Sequence, residues 1–175
     1  MRPMRSPPRA RIRPCIRELP NRNTDEISRF YTRAMSVTIS PDPSEWRRFA
    51  EGSIERLMIS ALGEHEGVVL RPRLLTLGRN SRVEVEGIDP DNTIVVQLAA
   101  NQGAYKPAFR NKVMADMFKL MWLRDSVPSA RRAALVVTGV TVQALGGWVA
   151  VAASDLGIEV FVFDGTRVEP LAADS

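Results

Sequence analysis

The chain has 175 residues, 45% hydrophobic and 25% charged, which suffices for one globular core but not comfortably for two domains. One cysteine, Cys15, excludes an internal disulfide, and one histidine, His65, excludes Ser-His, Cys-His and poly-histidine metal chemistry, so acid–base or metal work falls to carboxylates and lysines. The net charge of +4 is local: residues 1–22 hold seven arginines against Glu18 and contribute +6, leaving −2 for the rest, which does not suggest a broad basic surface.

Residues 1–40 read as a disordered Arg/Pro-rich tail or as an upstream start, with Met35 as the alternative beginning. Five prolines fall within residues 1–24, and no apolar run follows the arginines to form a signal peptide. Cytoplasmic localisation is the expectation.

The main domain is expected over 41–166. Asp42-Pro43-Ser44-Glu45 offers a helix start, and Trp46, Phe49, Ile54, Leu57, Met58 and Ala61 recur at helical spacing until Gly63. His65 falls in a Gly-rich connection and reads as a solvated loop residue. Three β-like runs follow, Val68–Leu77 (interrupted by Pro72), Arg82–Ile88 and Thr93–Ala99, the last two joined by the turn Asp89-Pro90-Asp91-Asn92. After the loop Asn101–Phe109, a helix is predicted from about Arg110 to Arg124, with Val113, Met117, Leu120 and Met121 as its apolar stripe. A strand at Ala133–Thr138, a Gly-rich helix near Val140–Asp155 and a strand at Ile158–Phe163 complete the domain, and 167–175 reads as a flexible tail. The stretch 133–154 carries no charge, but its threonines, Gln143, Ser154 and three glycines fit a buried strand, turn and helix better than a membrane span.

Chemistry-bearing residues gather on the middle strands and the helix after them. Glu84 and Glu86 are two apart and share one face of their strand, with Val83 and Val85 on the other. Gln97 stands near the end of the next strand. Lys112, Asp116 and Lys119 recur at i, i+4 and i+7 opposite the apolar stripe. The chain has 21 arginines but only three lysines, Lys106, Lys112 and Lys119, all within fourteen residues, as if these positions require a compact ammonium.

This αβββαβ order resembles the PD-(D/E)XK nuclease-like superfamily over roughly residues 44–164. The stretch QLAANQGAYKPAFRNKVMADMFKL (97–120) is similar to a bacterial group with a Lys-Val-x-x-Asp-x-x-Lys-Leu helix motif, which Lys112, Val113, Asp116, Lys119 and Leu120 match. Gly103 matches that group's loop, and GGWVAVAASDLGIEVFVFD its closing helix and strand. The resemblance implies a restriction-endonuclease-like α/β core, a mixed sheet flanked by helices. It implies a site in which Glu84, Glu86 and Gln97 hold Mg²⁺ and Lys112 positions the attacking water for phosphodiester hydrolysis. Glu51 and Asp116 would support that site, and Tyr105, Lys106 and Lys119 would contact nucleic acid. The chain departs from the family's pattern where its metal-binding Glu is replaced by Gln97 and its lysine by Ala99. Two readings follow: a nuclease-like domain that engages nucleic acid, or a noncatalytic scaffold that kept the fold and binds a protein partner or a second copy. The bland reading of the same residues is a wet strand face and a solvated helix face.

Overall fold

The computed structural model describes residues 37–39, 46, 48–78 and 81–171. The Arg/Pro-rich segment before residue 37, the predicted helix start at Asp42–Glu45 and residues 172–175 lie outside the described residues. The described residues all fall in a unit spanning Met35–Ser175.

The elements run β1 (Val37–Ile39), α1 (Ile54–Glu66), β2 (Arg71–Leu77), β3 (Ser81–Ile88), β4 (Ile94–Ala99), α2 (Ala108–Ser126), β5 (Arg132–Thr138), a 3-10 turn (Gly139–Leu145), α3 (Trp148–Asp155), β6 (Ile158–Phe163) and β7 (Val168–Pro170). Among the described residues they form one seven-stranded mixed sheet in sequence order. β1 to β4 meander antiparallel, β4–β5 and β5–β6 are parallel, and β7 returns antiparallel on β6. Each parallel step needs a crossover, which α2 and then the 3-10 turn with α3 supply. β1 and β7 add strands within the stretches read as tails, 1–40 and 167–175.

The sheet is covered on both faces. β5 shows why, since Ala133, Leu135 and Val137 join one core with Val113, Leu120 and Leu123 of α2 and Val149 of α3, while Ala134 and Val136 join another with Met58, Ile59 and Leu62 of α1. A strand buried on both sides reads as a continuous apolar run, as the sequence does here. The uncharged stretch 133–154 is therefore β5, the 3-10 turn and α3, and no helix among the described residues is long and apolar enough to cross a membrane.

Two helix expectations are corrected. Trp46 and Phe49 precede α1, which starts at Ile54 behind the N-cap Ser53, whose hydroxyl accepts from the Arg56 amide at 3.3 Å. Gly63 does not stop that helix. It is buried within it, where an added Cβ would meet the Val68 carbonyl at 2.8 Å, and the helix ends at Gly67 with φ +68°. His65 thus sits in the last turn of α1, edge-on to Phe161 with ring centroids 5.4 Å apart. The Gly-rich helix expected at 140–155 is divided, because Gly146-Gly147 separates the 3-10 turn from α3 and Gly147 adopts φ +66°.

Candidate functional site

The β3–β4 ladder is short, registering only Gly87 with Val96 and Ile88 with Val95. On the other side of β3 the β2 pairing shifts register between Arg71 and Arg73, so β3 carries an extra residue near Glu86 and Gly87. Beyond the ladder the strands part, which leaves the amide and carbonyl of Leu98 without a β3 partner. Two side chains take the place of that missing strand. Glu86 Oε2 accepts from the Leu98 amide, and Lys112 Nζ donates to the Leu98 carbonyl at 2.9 Å. Lys112 also donates to Asp116 Oδ2 at 2.6 Å, the i,i+4 pair that the helix spacing predicts.

Gln97 faces α2 one residue earlier. Its side chain is 1% exposed, its Nε2 donates to the Val96 carbonyl at 3.0 Å, and its Oε1 accepts from Lys119 Nζ at 2.9 Å. The acids have a cation of their own. Arg48 pairs with Glu84 and reaches Glu86 Oε1 at 3.5 Å, consistent with Glu84 and Glu86 sharing a strand face. Six charged side chains thus form one neighbourhood, Glu84, Glu86 and Asp116 against Arg48, Lys112 and Lys119.

Burial sets their electrostatics. Desolvation pushes the Glu86 carboxyl above its ordinary value, outweighing the Leu98 amide and the Lys112 and Arg48 charges that pull it down. Desolvation likewise holds the Lys119 ammonium below its ordinary value, against the attraction of Glu86, Asp116 and Glu84.

The remaining predicted residues stand apart from these contacts. Glu51 is exposed in the turn ahead of α1, not on a helix. Tyr105 and Lys106 lie in the loop before α2. The Tyr105 ring packs on Phe109 with centroids 6.4 Å apart, and Lys106 is exposed. Arg48 is the residue that sequence reasoning missed, since it lies 36 positions from Glu84 and no spacing rule connects them.

The donors that the resemblance assigns to Mg²⁺ are each engaged within the protein. Magnesium takes oxygen ligands in a near-octahedral shell and is favoured by uncompensated carboxylates. Here the amide oxygen of Gln97 already holds an ammonium, Glu86 is spent on the Leu98 amide and Arg48, and Glu84 is paired with Arg48. Three carboxylates face three cations in this neighbourhood. Among the described residues, no three Asp, Glu, His or Cys side chains are grouped around one point.

Comparison with protein-family models, with curated proteins and with solved structures found no match to the chain.

Proposed function

We propose that the domain is a noncatalytic, metal-independent interaction module on a PD-(D/E)XK-like core. The observation that carries this reading is the Lys119 ammonium on Gln97 Oε1, at the position where the resembled family has a metal-binding carboxylate. A lysine supplied from α2 does there what a cation would do, and it is covalently part of the fold. Around it, the Glu86 and Lys112 contacts to Leu98 serve architecture: they close the parted end of the β3–β4 ladder, where unpaired buried backbone groups would each cost about 1–3 kcal/mol.

The second reading, metal-dependent phosphodiester hydrolysis on nucleic acid, is favoured by the order α1–β2–β3–β4–α2–β5 and by Glu86 and Lys112 meeting at one residue. The two readings part in a nicking assay. Supercoiled plasmid and single-stranded DNA and RNA are incubated with the full chain in millimolar Mg²⁺ or Mn²⁺, beside a Glu86→Ala/Lys112→Ala variant. The proposed function predicts equal, background cleavage for both proteins. Metal-dependent cleavage by the wild type that the double variant lacks establishes the nuclease reading instead.

A further inference from the structure

The exposed face of α2, centred on Phe118 and bordered by Lys112 and Lys119, carries the most exposed large apolar side chain among the described residues. Phe118 is 73% exposed, and Trp122, one turn on, is 38% exposed. Ala115 lies on the same ridge, with Met114 and Met121 half-buried beside it. α3 runs alongside: Arg110 reaches from the start of α2 to the Gly146 carbonyl at 3.0 Å, and Arg124 from its end to the Leu156 carbonyl at 2.9 Å. α3 adds Trp148 at 63% and Val151 at 60% exposure. Exposed aromatic and apolar side chains on two helices that Arg110 and Arg124 tie together mark a candidate association surface.

We propose that this face binds a second copy of the chain, with the two α2 helices antiparallel about a two-fold axis near Phe118. Charge and shape both point to a self-complementary pairing. The ridge is basic at its start, where the half-buried Arg110 lies over the Trp148 ring with one nitrogen on the Gly146 carbonyl and its other donors left for an anion, and acidic at its end, where Asp125 is exposed and makes no ion pair among the described residues. Antiparallel docking brings each Asp125 to the other copy's Arg110, opposes the helix dipoles favourably, and lays Trp122 over the small Ala115 of the second copy. The extent suits a weak, concentration-dependent contact: α2 has 19 residues, about 28 Å, and α3 eight, about 12 Å, so at about 10 Å across they offer on the order of 400 Å² before side-chain relief. That is about half of the roughly 800 Å² per partner of a stable interface. A nucleic-acid backbone suits the face less well, since Lys119 is turned to Gln97, Arg124 to Leu156 and Gly157, and the ridge between Lys112 and Asp125 presents no further cation.

The test is sedimentation velocity on the full chain over a concentration series, with Phe118→Glu, Asp125→Arg and, as a control on another apolar site, Val69→Glu. Phe118 and Val69 are exposed, so thermal melts of these variants should match the wild type. The proposal predicts a concentration-dependent dimer, its loss in Phe118→Glu, a weakening by about fivefold in Asp125→Arg at low salt, and no change in Val69→Glu. It is overturned by a monomer at every concentration, by a dimer that Phe118→Glu leaves intact, by equal loss in the Val69→Glu control, or by a monomer whose oligonucleotide binding depends on Phe118.

Discussion

Replacing Gln97 by Glu tests the ammonium–amide contact with a one-atom change. The amide is 1% exposed, and its nitrogen donates to the Val96 carbonyl at 3.0 Å. In Gln97→Glu, one carboxylate oxygen keeps Lys119, but the other lies against that carbonyl, so a hydrogen bond becomes a repulsion worth about 1–3 kcal/mol. The new ion pair with Lys119 roughly cancels its own desolvation. The nearby Glu86 carboxylate adds further like-charge cost. The net expectation is a loss of about 2–4 kcal/mol at neutral pH, a fall in Tm on the order of 5–15 °C for a domain of this size. The sign with pH follows from linkage. A protonated carboxyl donates to the Val96 carbonyl and reproduces the amide, whereas the anion is repelled by it, so that contact raises the pKa of the new group in the folded state. The penalty is therefore absent below the unfolded value of about 4.3 and grows as pH rises through the folded one. Urea titrations of both proteins at acidic and mildly alkaline pH measure it. Equal stability at all pH values, or recovery of the alkaline loss by millimolar Mg²⁺, refutes the argument that Lys119 already serves the site.

Three further outcomes follow from the same contacts. Glu86→Gln keeps an oxygen for the Leu98 amide but cannot ionise. Because burial raises Glu86's folded pKa above its ordinary 4.5, wild-type stability declines as pH rises through that raised value, and the variant's stability curve should be flatter there in denaturant titrations. Lys112→Met leaves the Leu98 carbonyl and Asp116 without their donor and should cost about 1–3 kcal/mol by chemical denaturation, with Met filling the stem's space. Val136→Asp should abolish soluble expression, since Val136 is wholly buried and pairs in register with Phe161, and an unpaired buried charge costs several kcal/mol of a total near 5–15.

Periodicity carried most of the fold. The stretch Ala133–Thr138 is uncharged because both faces of β5 are covered, Ile158–Phe163 is apolar but for Glu159, and the bounds of both were legible to within one residue. Which helices cover each face was not legible: Val136 and Phe161, paired in register, pack against α1 and not against the helices that follow β4 and β5 in the chain. Gly63 misled because a helical glycine needed for close approach to the Val68 carbonyl looks the same in sequence as one that ends a helix. At the candidate site, the spacing of Lys112, Asp116 and Lys119 placed them on α2 correctly, yet spacing does not report which way an ammonium turns. Lys112 turned to the Leu98 carbonyl and Lys119 to Gln97, while Arg48, from the turn ahead of α1 that the sequence reads as helix, took the acids.

The most direct measurement is a calorimetric titration of Mg²⁺ and of Mn²⁺ into the full wild-type chain at neutral pH. With Gln97 Oε1 held by Lys119 and Glu84 and Glu86 paired with Arg48, the predicted result is heat no greater than dilution through the millimolar range. Saturable one-to-one binding that disappears in Glu86→Ala would contradict the account.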